Sequence, residues 1–429
     1  MSNLVPDGWE ERTLNNCLEL LTDFEANGSF ATVKENVTVY DNENHAWYVR
    51  ATDLEKKSQL SDVKFVDEHS FNFLKKTKLD GNEVLITKRG EIGKVYYFKP
   101  VNKPSTLAPN LYLLKLNNSV DSKFIYYSFA SDEGKKKLIR INASTTMGAL
   151  YKNDVKSLPL TVPPLPEQQK IAKILTSVDE VIEKTQAQID KLKDLKIGMM
   201  QELLTNGIGH TEFKDSPVGR IPAEWEVKEL NKLVSIKHGY AFEGQYFSTT
   251  PSKYILLTPG NFNRDGRLYF GVKTKYYTGD IPEGYILKNG DVLVVMTDLT
   301  KEMTILGNTI TLQSPQTVLH NQRIGKVEIV AENSLTHEYL CFVMNSDRVK
   351  THVKDTATGT TVRHSSPTKI LEPFIPVPPV EEQRKITSIF DSINSKLSRV
   401  ENKLQKLRST KKALMQDLLT GKGRVKVDS

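Results

Sequence analysis

The chain has 429 residues, 38% of them hydrophobic and 26% charged, with a formal net charge of +7. This is the composition of a globular protein with material for two to four domains, at roughly one per 100–200 residues, and it excludes a disordered or collagen-like chain. There is no run of about 18 apolar residues, so no membrane span is expected. Cys17 and Cys341 stand far apart and read as reduced thiols of a cytosolic protein, not as zinc ligands.

In chain order, residues 1 to about 160 read as mixed structure. Strand-like runs such as Glu83-Val84-Leu85-Ile86-Thr87 and Lys94-Val95-Tyr96-Tyr97-Phe98 are bounded by Gly and Pro. The N-terminus shows no basic stretch followed by an apolar one, so secretion is not expected. From Leu158 to Pro166 the chain is too proline-rich to be helical, because each ring removes a donor and biases the preceding residue to extended geometry. Pro166 and Glu167 then suit a helix start, with a carboxylate at the positive end of the dipole.

From Glu167 to about Thr205 the residues Ile171, Leu175, Val178, Ile182, Thr185, Ile189, Leu192, Lys196, Met199 and Leu203 recur in alternating steps of four and three. That period, held over five heptads, predicts a coiled-coil seam on a helix of about 57 Å. Asn206-Gly207 supplies the stop.

The same design returns 215 residues later. Pro163-Pro164-Leu165-Pro166-Glu167-Gln168-Gln169-Lys170-Ile171 reappears as Pro378-Pro379-Val380-Glu381-Glu382-Gln383-Arg384-Lys385-Ile386. The register holds without a gap to Met200-Gln201-Glu202-Leu203-Leu204-Thr205, repeated as Met415-Gln416-Asp417-Leu418-Leu419-Thr420. Upstream, Val5-Pro6-Asp7-Gly8-Trp9-Glu10 matches Ile221-Pro222-Ala223-Glu224-Trp225-Glu226. Between them only fragments agree: Gly81-Asn82-Glu83-Val84-Leu85 with Asn289-Gly290-Asp291-Val292-Leu293, and Ala143-Ser144-Thr145-Thr146 with Thr358-Gly359-Thr360-Thr361. A repeat this long is a duplicated module.

The expected fold is therefore α+β: two mixed globular halves separated by two long helices that pair antiparallel about a pseudo-two-fold axis. The boundaries fall at 1–162, 163–207, 208–377 and 378–420, followed by a flexible tail, 421–429. The second helix is expected to bring the C-terminus back towards residue 1.

Catalytic signatures are missing. The sequence has no phosphate-binding G-x-x-x-x-G-K-[ST] loop, no G-x-S-x-G elbow, no H-E-x-x-H and no Asn/Asp-Pro-Pro-aromatic motif of base-modifying methyltransferases. Two diverged halves, each followed by a long helix with a Pro-Pro…Glu-Gln…Ile opening and a Met-Gln…Leu-Leu-Thr end, resemble the specificity subunit of type I restriction–modification systems. The resemblance covers essentially the whole chain, including the Pro-x-x-Trp motifs at Pro6 and Pro222. It implies that each half is a target recognition domain reading one part of a split site in double-stranded DNA. It further implies that the helices set the gap and dock two modification (methyltransferase) subunits, and that restriction/translocase subunits join the complex. This chain would then be non-catalytic and cofactor-free, with S-adenosylmethionine, ATP and Mg on the partner subunits. Because the halves have diverged, the site should be asymmetric.

DNA reading needs basic or amide side chains that reach base edges. In the first half, Lys88 and Arg89 read as a basic hairpin tip, in the place of the family's Arg-Gly loop. Arg50, in a segment like the family's Arg-Thr-x-Asp, either contacts DNA or pairs with Asp53. Asn142, Thr145 and Thr146 sit where the family has a threonine-rich segment, to contact phosphate or to cap a turn. Second-half candidates are His238, Tyr240, Asn261, Asn263, Thr360, Thr361, Arg363 and His364, with Arg363 and His364 preferred. The apolar residues Met199, Leu203, Leu204, Met415, Leu418 and Leu419 exceed what one seam needs and are the candidates for partner docking. Two other readings compete: an enzyme carrying its own methyltransferase or nuclease activity, and a coiled-coil scaffold that binds proteins and not DNA.

Overall fold

The computed structural model describes residues 5–56, 61–99, 101–142, 148–263, 267–331 and 333–426. The chain divides into two compact units, 1–187 with 401–429, and 188–400. Each unit combines one globular half, the start of the long helix that follows it, and the end of the other long helix.

In the first unit one sheet orders its strands Leu18–Asp23, Leu111–Leu116, Val84–Thr87, Val95–Tyr97. A second, five-stranded sheet runs Val39–Tyr40, Lys64–Val66, Ala46–Val49, Ser105–Leu107, Lys78–Leu79. The second unit repeats both. Its four-stranded sheet runs Val234–His238, Ile324–Ile329, Val292–Val295, Thr309–Thr311. Its five-stranded sheet runs Phe247–Ser248, Lys275–Tyr277, Tyr254–Leu256, Thr317–Leu319, Ile286–Leu287. Even the single parallel pairing of the five-stranded sheet is kept, Trp47↔Ser105 in one unit and Tyr254↔Thr317 in the other.

Register makes the correspondence residue by residue. Val84 faces Leu114 and Val292 faces Val327, so the next pairs equate Tyr112 with Gly325, and Asp23 with His238. The one strand motif that repeats in sequence, Glu83-Val84-Leu85 and Asp291-Val292-Leu293, is the central strand of this sheet. It is buried on both faces, and so carries a continuous apolar run that sequence comparison can detect.

The long helices span Leu165–Thr205 and Val380–Leu418. In the first unit Ile171, Leu175 and Leu418 enter the same core as Leu14, Ile86 and Phe124. In the second, Leu203, Ile386 and Phe390 join Trp225, Leu230 and Tyr339. Within the first unit Lys411 Nζ meets Asp179 Oδ1 at 2.6 Å and Arg408 Nη2 donates to Gln186 Oε1 at 3.3 Å. One index rises as the other falls, so the two helix segments run antiparallel. Every seam position is buried or half-buried. Lys411, which repeats the stripe lysine Lys196 215 residues later, keeps its charge in that ion pair while its ammonium lies 5.5 Å from the Tyr127 ring centroid.

The repeated Glu-Gln pair explains why the helix openings are so alike. Gln168, buried, donates to the Pro163 carbonyl at 2.8 Å and accepts from the Asp121 amide at 2.8 Å. Gln383 does the same with the Pro378 carbonyl and the Thr336 amide, both at 2.9 Å. Asp121 and Thr336 are the caps of the helices Ser122–Ala130 and His337–Met344, so one amide side chain ties three chain segments together. A buried amide that satisfies both of its groups tolerates little change.

The expectation of a flexible tail is corrected for its described part. Arg424 donates to both Glu167 oxygens, at 2.9 and 3.1 Å, and to the Asp7 carbonyl at 2.8 Å, while Val425 packs on the core. The chain end is thus returned to the chain start, as the second helix was expected to do. Among the described residues no helix is long and apolar enough to cross a membrane.

Candidate nucleic-acid interface

In both units the central strand of the four-stranded sheet continues past its last ladder pair into an extended segment that a late strand joins. Leu150 N donates to Lys88 O at 2.9 Å and Ser365 N to Met296 O at 3.0 Å. One residue on, Arg89 bridges Ala149 and Thr297 pairs with His364. Lys88 therefore corresponds to Met296, Arg89 to Thr297, and Ala149 to His364.

In the first unit Lys88 turns inward, which corrects its reading as a hairpin tip. It is 8% exposed, and its ammonium meets Asp23 Oδ2 at 2.6 Å and Glu25 Oε2 at 2.8 Å. Lys152 Nζ reaches the other Asp23 oxygen at 2.8 Å. Burial would raise the Asp23 carboxyl, but hydrogen bonds from Lys152 and Lys88 outweigh it and hold the group below the ordinary carboxylate value. A buried lysine is retained here because two carboxylates replace its water. Its neighbour Arg89 projects outward, with a side chain 54% exposed and Nη2 3.5 Å from Glu25 Oε1. Beyond it, Gly90 N donates to Gly148 O at 3.0 Å. A Cβ on Gly148 would stand 2.5 Å from Gly90 O, so only glycine allows this approach.

Asn142 is exposed and accepts from the Ala149 amide at 2.9 Å, which fastens its segment beside the bridge. Thr145 and Thr146 lie outside the described residues. Arg50 takes the second of its two readings, since Nη2 donates to the fully buried Asp53 Oδ1 at 2.6 Å. Asp53 Oδ2 also accepts from Arg50 N at 3.1 Å, which closes the turn after the strand Ala46–Val49.

That turn exposes a misreading in the second unit. Asn261 is the counterpart of Asp53: its Oδ1 accepts from Thr258 N at 2.9 Å and its Nδ2 donates to Tyr269 O at 3.2 Å. At 2% exposure it closes a turn and cannot reach DNA. Asn263 is exposed, its backbone bonded to Arg267 and Asn308. His238 is exposed at a strand end, and Tyr240, two residues on, is 37% exposed with its ring 5.3 Å from that of Tyr285. Thr360 and Thr361 are exposed in the turn before the late strand. Arg363 and His364 leave that strand on opposite sides. Arg363 is half-buried opposite Asp298, whereas His364 is exposed, with Nδ1 3.0 Å from Thr297 Oγ1. Of the preferred pair, only His364 faces outward.

Of the six docking candidates, Leu203 and Leu418 are buried and the other four are half-buried. Met199, Leu203 and Leu204 pack on the core of the second unit, and Met415, Leu418 and Leu419 on that of the first. Their apolar surplus covers the globular halves. Residues that sequence reasoning missed include Asp23, Glu25, Lys152 and Thr297. Each pairs with a group tens of residues away, so no local spacing marks it.

The sequence profile of the type I restriction modification DNA specificity domain matches residues 6–194 and again 222–408. A type I restriction enzyme MjaVIII specificity subunit of Methanocaldococcus jannaschii is 27% identical over 358 residues, 80% of either chain. A putative type I restriction enzyme MjaX specificity subunit of the same organism is 26% identical, covering 98% of this chain and 95% of that one. The crystal structure of a type I restriction-modification S subunit from M. genitalium shares the fold, with a TM-score of 0.58 at 16% identity over 96% of each chain. With two matches that together span most of its length, the chain belongs to the family of type I restriction modification DNA specificity domain proteins.

Proposed function

We propose that this chain is the DNA-sequence specificity subunit of a type I restriction–modification complex. Each unit reads one half of an asymmetric, bipartite site in double-stranded DNA, and the long helices fix the gap and dock two modification subunits. Restriction/translocase subunits join through the complex. The chain contributes recognition and no catalysis; S-adenosylmethionine, ATP and Mg belong to the partner chains. With Leu203 and its repeat Leu418 buried in the cores, docking falls to exposed apolar helix positions such as Leu195 and Ile197, about half exposed.

The observation that carries this reading is the contrast between backbone and side chains. Two units with one strand register hold different chemistry at the same sheet end: Asp23, Lys88 and Arg89 in one, His238, Met296 and Thr297 in the other. A duplicated scaffold with two unlike surfaces suits a two-part, asymmetric target. The test is DNA affinity of the full chain with its modification partner across a salt series. Phosphate contacts make log affinity fall linearly with log salt; an affinity indifferent to salt favours the protein-binding scaffold.

A further inference from the structure

The bridge at the end of the four-stranded sheet has its exposed polar side chain on opposite strands in the two units. In the first unit the central strand supplies it, Arg89, and the late segment offers Ala149. In the second the late strand supplies it, His364, and the central strand offers Thr297. The backbone bonds on either side are kept, so the swap is chemical and leaves the scaffold unchanged.

The other basic candidates nearby are committed elsewhere. Lys88 is buried between two carboxylates and Arg50 is locked on Asp53, while Arg363 is half-buried with its Nε away from solvent. Arg89 and His364 are exposed, and each is steadied by one polar neighbour. Glu25 Oε1 lies 3.5 Å from Arg89 Nη2, and Thr297 Oγ1 lies 3.0 Å from His364 Nδ1, which leaves Nε2 as the ring atom to meet a ligand.

We infer that this bridge is a specificity-determining position in each unit, with Arg89 and His364 as the side chains that meet base edges. The inference rests on the proposed function. Arg89 presents a planar fork of donors, the match for the O6 and N7 acceptors of guanine in the major groove. His364 presents one ring nitrogen, so it makes a single contact and discriminates less sharply. Glu25 and Thr297 are positioning residues, since they orient the readers.

The test is a genome-wide map of methylated bases in cells carrying the intact system with wild-type chain, Arg89→Ala, Arg89→Lys or His364→Ala. Arg89→Ala should relax one base pair of one half-site, with about a tenfold or greater loss of discrimination there, and leave the other half-site unchanged. Arg89→Lys keeps the charge but replaces the planar fork with a compact ammonium on a flexible stem, and should relax the same base pair. His364→Ala should relax a position in the other half-site only. An unchanged motif in the Arg89 and His364 variants overturns the inference, and so does a loss of methylation spread over both half-sites. The wild-type map separates the two levels: if it shows no bipartite motif, the proposed function itself fails.

Discussion

Trp225 Nε1 donates a 2.8 Å hydrogen bond to Glu382 Oε2 across 157 residues of sequence. Trp9 does the same to Glu167 at 3.2 Å. Each carboxylate also receives a cationic or polar side chain from just beyond a long helix, His210 in one unit at 2.8 Å and Arg424 in the other at 2.9 Å. The Pro-x-x-Trp motif, the helix opening and the segment after the other helix thus meet at one carboxylate in each unit, buried at Glu167 and half-buried at Glu382.

Removing that carboxylate should weaken its unit. Glu167 is 4% exposed, and Glu167→Ala strands an indole N–H and a guanidinium. Arg424 is about half exposed and can turn to water, which limits the cost to about 2 kcal/mol. Urea unfolding of the full chain should show an earlier transition for the first unit; an unchanged midpoint contradicts the clasp.

The Asp23–Lys88 pair gives a prediction with a sign. The folded Asp23 carboxyl titrates below its ordinary 3.8. Its contribution is complete above that value and is lost as pH falls through the lower, folded value. Asp23→Asn should therefore be less stable than wild type at neutral pH, with the gap closing in acid. Lys88→Met, which installs the residue found at Met296, leaves Asp23 paired with Lys152 and should cost about 2–3 kcal/mol. Paired denaturation curves across pH check both statements.

Lys350 carries the opposite sign. Burial, with Lys354 nearby, lowers it from 10.5 to about 8. Between those values the unfolded chain binds more protons than the folded one, so stability should rise with pH across that window. Lys350→Met should remove the rise and stabilise the second unit at neutral pH by about 1 kcal/mol, the burial being incomplete. A variant that keeps the alkaline rise contradicts the assignment.

Gly325 occupies the register position of Tyr112. A Cβ there would lie 2.5 Å from Ile236 Cγ2 and 3.0 Å from Val294 Cγ1. Gly325→Ala should cost about 1–3 kcal/mol by overpacking, measurable as a lower melting temperature; an unchanged melting temperature contradicts it.

What was legible in the sequence follows from the range of the interactions. The seam from Ile171 to Leu203 repeats at fixed local spacing, and Gln168 with Gln383 sits in a fixed motif because its partners are fixed. The central strand at Val84 and Val292 was visible through its apolar run. The equivalence of Asp53 and Asn261 was not, since turn closure needs only a short acceptor that either residue supplies. Lys88 looked exposed because it stands between polar neighbours, yet its carboxylate, Asp23, lies 65 residues away. The helix-end leucines looked surplus because the globular cores they complete are remote in sequence.

The most direct test is a genome-wide map of methylated adenines in cells with and without this chain. One asymmetric, two-part motif with a fixed gap should be present and should disappear when the chain is deleted. A bipartite motif that persists without the chain would contradict it.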